Sequence, residues 1–255
     1  MIQKIINLWN RSSWLAQLMP CRLAAVLFLI QARTNRLARS EGTYKTHSFV
    51  FRGCDLSALK EVLIDQEYAF LTSLVKSKKP PVIVDVGAHI GTFALWALSE
   101  NPSARILSVE ADPKTYALLL HSSTLSSNAD TPWTCTHRAA WKNNDNIAFS
   151  DEGDSMSHKV LKTGSLQVSG ITLPELIEQT GEEKIDLMKV DIEGAEEAFI
   201  CEYPESLKNI HALVIELHPQ LCDTEKVRDT LGTYFKTITE IEGRISSKPL
   251  LYCTK

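Results

Sequence analysis

The stretch VIVDVGAHIG, residues 82–91, decides the fold. Five largely apolar residues with β-branched side chains are followed by glycine, a histidine and a second glycine. An apolar run of this length reads as a strand buried on both faces, as in parallel sheets. The glycines then supply a tight turn into a helix, TFALWALSE at 92–100. Such a strand–turn–helix unit is the usual cradle for a nucleotide-like ligand.

Working outward, strands and helices alternate. RILSVEA (105–111) is a second strand, and PKTYALLLHSSTLSSN (113–128) is a helix opened by Pro113. WTCTHRAAW (133–141) suggests a third strand, KIDLMKVDIEG (184–194) a fourth with its turn, and HALVIELHP (211–219) a fifth. TLPELIEQTG (172–181) and TEKVRDTLGTYF (224–235) read as helices, and KTITEIEG with PLLYCTK as a terminal pair of strands. Residues 142–170, rich in Asn, Asp, Ser and Gly, read as a β-ribbon or loop excursion beside an acceptor pocket. The pattern predicts an α/β, doubly wound, mostly parallel sheet with helices on both faces.

Upstream, THSFVFRG and ALKEVLIDQEYAFLTSLVK predict a short strand and an amphipathic helix, with Lys-Lys-Pro-Pro at 78–81 as the boundary to the core. The chain divides into a basic helical N-terminal extension, 1–44, and a catalytic-type domain, 45–255. Residues 1–40 hold six basic side chains and no acid, so with a total of −4 the rest carries −10. An acidic body excludes a broad nucleic-acid face, which needs a basic stripe. Within the extension, Leu23, Val26, Leu27, Ile30 and Leu37 share a helical face with arginines around it. Three readings compete for it: a helix packed on the domain, a peripheral contact with an anionic membrane through residues 1–40, and a targeting segment. LAAVLFLI (23–30) is too short to span a bilayer. The six cysteines are scattered without metal-ligand spacing and read as reduced thiols. Together these features predict a cytoplasmic protein, membrane-associated if the second reading holds.

Ligands of open parallel sheets bind beyond the carboxyl ends of the strands. Asp85 with Gly87 and Gly91, Glu110, Asp191 with Glu193, and Glu216 with His218 all fall there. The dinucleotide fingerprint GxGxxG is not met, because His89 replaces the glycine that lets a pyrophosphate approach. S-adenosylmethionine has no phosphate and does not need that glycine. Its sulfonium also tolerates acidic surroundings. A nicotinamide-dependent oxidoreductase is thus the weaker alternative, and a non-catalytic, membrane-associated cofactor-binding protein a third. Glu110 can accept both hydrogen bonds of a ribose diol. Asp191 and Glu193 can orient a substrate, act as base or hold a metal, and orienting is the commoner use, so no metal site is expected. Glu196 and Glu197 read as partners of a helix dipole. His218 offers an imidazole base.

VIVDVGAHIGTFAL, LSVEADP, ITLPELIEQTGEEKIDLMKVDIEGAEEAFI and LVIELHP, in this order, resemble the FkbM-type S-adenosylmethionine-dependent methyltransferases. The match runs from about Phe51 to the C-terminus, and its K-x-D-x-E-G-A-E block is far more specific than the glycine turn. The resemblance implies a class I methyltransferase (Rossmann-like) fold of seven strands, the last antiparallel. It also implies O-methylation of a small-molecule hydroxyl on a sugar, glycolipid or polyketide-like acceptor. By that resemblance Asp85, Gly87, Ala88, His89 and Gly91 surround the methionine part of the cofactor and Glu110 takes its ribose. Asp191, Glu193 and His218 face methyl transfer. His89 stands where the family often has asparagine, and EADP replaces the commoner EP.

Overall fold

The computed structural model describes residues 2–77, 79–125, 127–149, 160–161, 166–242 and 247–255. Two helices, α1 (Ile2–Leu15) and α2 (Arg22–Thr34), precede a hairpin of β1 (Arg39–Tyr44) and β2 (His47–Arg52). A 3-10 turn at Gly53–Asp55 leads into α3 (Leu56–Ala58), a π-helical stretch at Leu59–Ile64, and α4 (Thr72–Val75). The core follows: β3 (Val82–Val86), α5 (Thr92–Glu100), β4 (Arg105–Glu110), α6 (Pro113–Thr124) and β5 (Trp133–His137). An excursion comes next, β6 (Ala139–Ala140), β7 (Asn146–Phe149), β8 (Val160–Leu161) and β9 (Leu166–Ile171). The chain closes with α7 (Leu173–Gln179), β10 (Ile185–Val190), α8 (Glu196–Ile200), β11 (Ile210–Glu216), α9 (Thr224–Tyr234), β12 (Thr237–Glu240) and β13 (Leu250–Thr254).

The main sheet has seven strands in the order β12-β13-β11-β10-β3-β4-β5. β3, β4, β5, β10 and β11 run parallel, and β13 is antiparallel to both its neighbours. This is the α/β, doubly wound class I arrangement expected from the sequence. The order reverses between β3 and β10, so their carboxyl ends open the crevice where ligands collect. β3 is buried throughout, which is why it reads as an unbroken apolar run.

Local signals set the helix starts. Gly91, at φ 90°, is the N-cap of α5. The Asp112 carboxylate accepts from the Thr115 amide with Pro113 next to it. α7 opens on a Thr172/Glu175 capping box, and Asp223 caps α9 through the Lys226 amide. α5 is apolar almost all round and needs cover on two sides. One side is the sheet; the other is the N-terminal layer, where Leu15, Phe28, Phe49, Leu59 and Tyr68 join Phe93 and Trp96 in one core. On the opposite sheet face α7, α8 and α9 bury Leu176, Phe199 and Val227.

Three expectations change. The helix over 58–76 is broken rather than continuous. The Asp65 amide donates to the Lys60 carbonyl, one residue beyond helical register, and Gln66 turns left-handed at φ 58°. Gln66 stays there because its side chain donates to the Tyr44 hydroxyl and the Leu63 carbonyl. Second, α2 is anchored through Ala25, Phe28 and Leu29, the face opposite the one its leucine pattern selects. The division at 44/45 falls in the β1–β2 turn, so the extension and the domain share a two-stranded sheet. Third, the WTCTHRAAW strand splits at Arg138, and β6 joins a second sheet, β6-β9-β7-β8. Much of the 142–170 excursion lies outside the described residues.

Candidate active site

Two turns meet at the centre of the crevice, one after β3 and one after β10. Gly87 is left-handed at φ 74°, and a Cβ there would stand 1.7 Å from the Asp191 carbonyl oxygen. Gly91 is also left-handed, and its Cβ would meet Trp133 and Leu119. Both glycines are thus demanded by the protein's own packing, whereas the sequence reading made room for a ligand the reason. Ala88 follows Gly87 and is buried, its amide donating to the Val109 carbonyl.

Beneath the turn lies an ion pair the sequence reading missed. Lys189 and Asp85 are in-register neighbours on β10 and β3. The Lys189 ammonium lies 3.3 Å from Asp85 Oδ1 and donates to the Gly87 carbonyl at 2.8 Å. Burial disfavours the ammonium, but Asp85 and Asp191 outweigh it and hold its pKa above the usual lysine value. Asp85 is wholly buried, with the Lys189 ammonium beside its Oδ1.

His89 has a left-handed backbone, φ 54°, and its ring turns to Asp55, Nε2 to Oδ1 at 3.1 Å. Asp55 is also clamped by Arg52 through Nε and Nη2 at 3.0 and 2.9 Å. Although burial opposes ionisation, His89 and Arg52 hold the Asp55 carboxyl well below the usual range. The imidazole expected to face the cofactor is therefore engaged from behind. What His89 sends towards the next strand is its amide, which donates to Glu110 Oε2 at 2.8 Å. Glu110 Oε1 accepts from the Asp112 amide at 2.8 Å, so this carboxylate ties the turns after β3 and β4 together. Each oxygen keeps a lone pair for a further donor. Burial pushes the Glu110 carboxyl up.

The acidic half of the site is built around His218. Its Nδ1 is 2.8 Å from Glu196 Oε1 and its Nε2 3.2 Å from Glu193 Oε2. Glu216 and Asp191 stand 3.5 and 3.9 Å from Nε2. Lys248 Nζ reaches Glu193 at 3.1 Å and Glu216 at 3.6 Å. Burial works against the imidazolium, yet Glu193 and Glu196 raise the His218 pKa to about 9. The surrounding carboxylates favour the charged form of His218, which weighs against its use as a base. Glu196 is fully buried and bonded to His218, Cys222 and the Gly194 amide, so it is more than a dipole partner. Despite burial, His218 and Lys248 hold Glu193 below the ordinary glutamate range. Four carboxylates here face two cations, and the negative excess suits a positively charged ligand.

Asp191 differs from its neighbours. Its side chain is 32 % exposed, and its Oδ1 has no hydrogen-bond partner among the described residues. Tyr68, buried against Phe93 and Trp96, lies nearby: burial first, then Asp191 and Asp85, push its phenol well above the usual value. Asp191, Glu193 and His218 present ligand atoms within 4.8 Å of one another, a set that could hold a divalent cation. Lys248 and the His218 imidazolium already place positive charge beside Glu193.

The model of the methyltransferase FkbM domain matches residues 85–241, well over half of the chain. The chain belongs to the FkbM methyltransferase family. Its methyl donor is S-adenosylmethionine, and the oxidoreductase alternative falls away. The lone pairs left on the two Glu110 oxygens, beside the turn after β3, fit the ribose diol of that donor. Among relatives, the hexuronic acid methyltransferase AglP of Haloferax volcanii is 26% identical over 147 residues, 57% of this chain and 59% of AglP. The FkbM chain thus spans about three-fifths of that relative's length. A tRNA1(Val) (adenine(37)-N6)-methyltransferase of Vibrio cholerae is 25% identical over 219 residues, covering 74% of this chain and 87% of the relative. Among solved structures, magnesium protoporphyrin IX methyltransferase (ChlM) from Synechocystis PCC 6803 aligns with a TM-score of 0.49 at 10% identity, over 80% of this chain and 86% of that one.

Proposed function

We propose that this methyltransferase transfers its methyl group to a hydroxyl oxygen of a sugar or natural-product-like small molecule. Asp191 carries the reading. Its side chain follows the carboxyl end of β10 and is 32 % exposed, so an acceptor hydroxyl can reach it for proton transfer.

S-adenosylmethionine, when bound, supplies a methyl group on a positively charged sulfonium. Asp85, Gly87, Ala88, His89 and Gly91 border its methionine end, with His89 acting through its backbone, and Glu110 accepts from its ribose hydroxyls. Asp191 orients the acceptor hydroxyl and takes its proton as the oxygen gains the methyl. Glu193, gripped by His218 and Lys248, stands beside Asp191 in the same cluster, and His218 is a positioning residue.

Electrostatics narrows the acceptor. The negative excess at the cluster repels a carboxylate or phosphate acceptor, while a neutral hydroxyl, which needs a base, gains from it. The −10 body disfavours RNA. AglP, a hexuronic acid methyltransferase, supports a sugar as the acceptor class, while the charge at the cluster favours a neutral sugar over a uronate.

The test supplies methyl-labelled S-adenosylmethionine with neutral hexoses, hexuronic acids and transfer RNA. Alkali-stable, nuclease-resistant label in a neutral sugar is expected. Alkali-labile methyl ester would overturn the hydroxyl assignment, and nuclease-sensitive label in RNA would overturn the small-molecule acceptor.

A further inference from the structure

α2 is apolar on two opposite faces. Inward, Ala25, Phe28 and Leu29 are buried; outward, Leu23, Leu27 and Ile30 are 66, 59 and 49 % exposed. Their three- and four-residue spacing makes a single stripe. Trp9 on α1 and Leu37 just beyond α2 are exposed as well. Of the seven large apolar side chains exposed among the described residues, five fall between residues 9 and 37. Scattered exposed leucines need no explanation, but a concentration of this kind marks a surface that is covered in use.

The charge of the same segment says what covers it. Residues 1–40 carry six basic side chains and no acid. Arg11, Arg33, Arg36 and Arg39 are exposed, and the Arg22 guanidinium stacks 3.3 Å over the Trp9 ring. A second copy meeting this face across a two-fold axis would oppose two acid-free, basic segments. An anionic lipid surface answers both properties, with acyl chains for the leucines and headgroup phosphates for the arginines.

We propose that α2 and the residues flanking it dock on an anionic bilayer. The helix lies in the interface with Leu23, Leu27 and Ile30 inserted. At 13 residues it is about 20 Å long, short of the ~30 Å hydrocarbon core. No helix of the described residues is long and apolar enough to cross a membrane. The seat adjoins the donor cleft: a Cβ on Gly53 would stand 2.7 Å from Ala32 Cβ, and the Arg36 carbonyl accepts from the Cys54 amide. The next residue, Asp55, holds His89.

Co-sedimentation of the full chain with phosphatidylglycerol–phosphatidylcholine vesicles, against pure phosphatidylcholine, tests the proposal. Binding to the anionic vesicles is expected, lost in the double variant Leu27→Glu, Ile30→Glu. Arg11→Glu with Arg33→Glu should weaken it about thirtyfold or more. S-adenosylmethionine affinity, unchanged in all variants, reports that they are folded. Equal pelleting of wild type with both lipids, or of wild type and the leucine–isoleucine variant, would overturn the proposal. So would a solution dimer that this variant dissociates while no form pellets.

Discussion

The Asp191 carbonyl oxygen occupies the space that a side chain on Gly87 would need, 1.7 Å from the position of its Cβ. The cofactor turn and the acidic turn are therefore one packed unit, and residue 87 has no alternative to glycine.

Gly87→Ala should destabilise the fold by about 3 kcal/mol or more, since the left-handed backbone alone costs of order 1–3 kcal/mol. Gly181, at φ 70° with nothing within 4 Å of its Cβ, is the control. Gly181→Ala should cost only the left-handed penalty, about 1–2 kcal/mol. Denaturant melts of both variants check the contrast. Equal losses would show that crowding at Gly87 is relieved by movement of the Asp191 turn.

Glu110 binds the amides of His89 and Asp112, and in the proposed complex the ribose too. Glu110→Gln should weaken S-adenosylmethionine binding about tenfold to a hundredfold, the range for hydrogen bonds to charged groups. Calorimetric titration gives the affinity, and an unchanged value would remove Glu110 from the ribose role.

His218 links stability to pH. Its folded pKa, about 9, lies above the ordinary value of 6.5. Its stabilising contribution is therefore complete below 6.5 and lost as pH rises through about 9. Unfolding free energy should fall across that window in wild type and stay flatter in His218→Gln. Parallel profiles would mean that Glu193 and Glu196 do not hold the imidazolium.

The main sheet was legible because buried parallel strands leave near-continuous apolar runs, as β3 and β11 do. The N-terminal layer was not, because α2 has apolar residues all round and periodicity cannot tell which face meets the core. The site was legible in part. Strand ends delivered Asp191, Glu193 and His218 to one cluster, since neighbouring parallel strands stop together. Asp55 escaped notice because it follows a hairpin outside the sheet, with no spacing that ties it to His89. Glu196 looked like any acid in a first helical turn, and its burial depends on how α8 is set down. Lys189 had a usable signal: a lysine at the apolar end of β10, after Leu187 and Met188, needs a buried carboxylate beside it, and Asp85 is the acid in β3.

The central claim is that Asp191 takes the acceptor's proton. Single-turnover methyl transfer by Asp191→Asn at saturating S-adenosylmethionine tests it most directly, with calorimetry reporting donor affinity on the same protein. The account predicts a rate lower by about 10²–10⁴ with donor affinity unchanged. Full turnover by Asp191→Asn, or a slow rate traced entirely to lost donor binding, would contradict it.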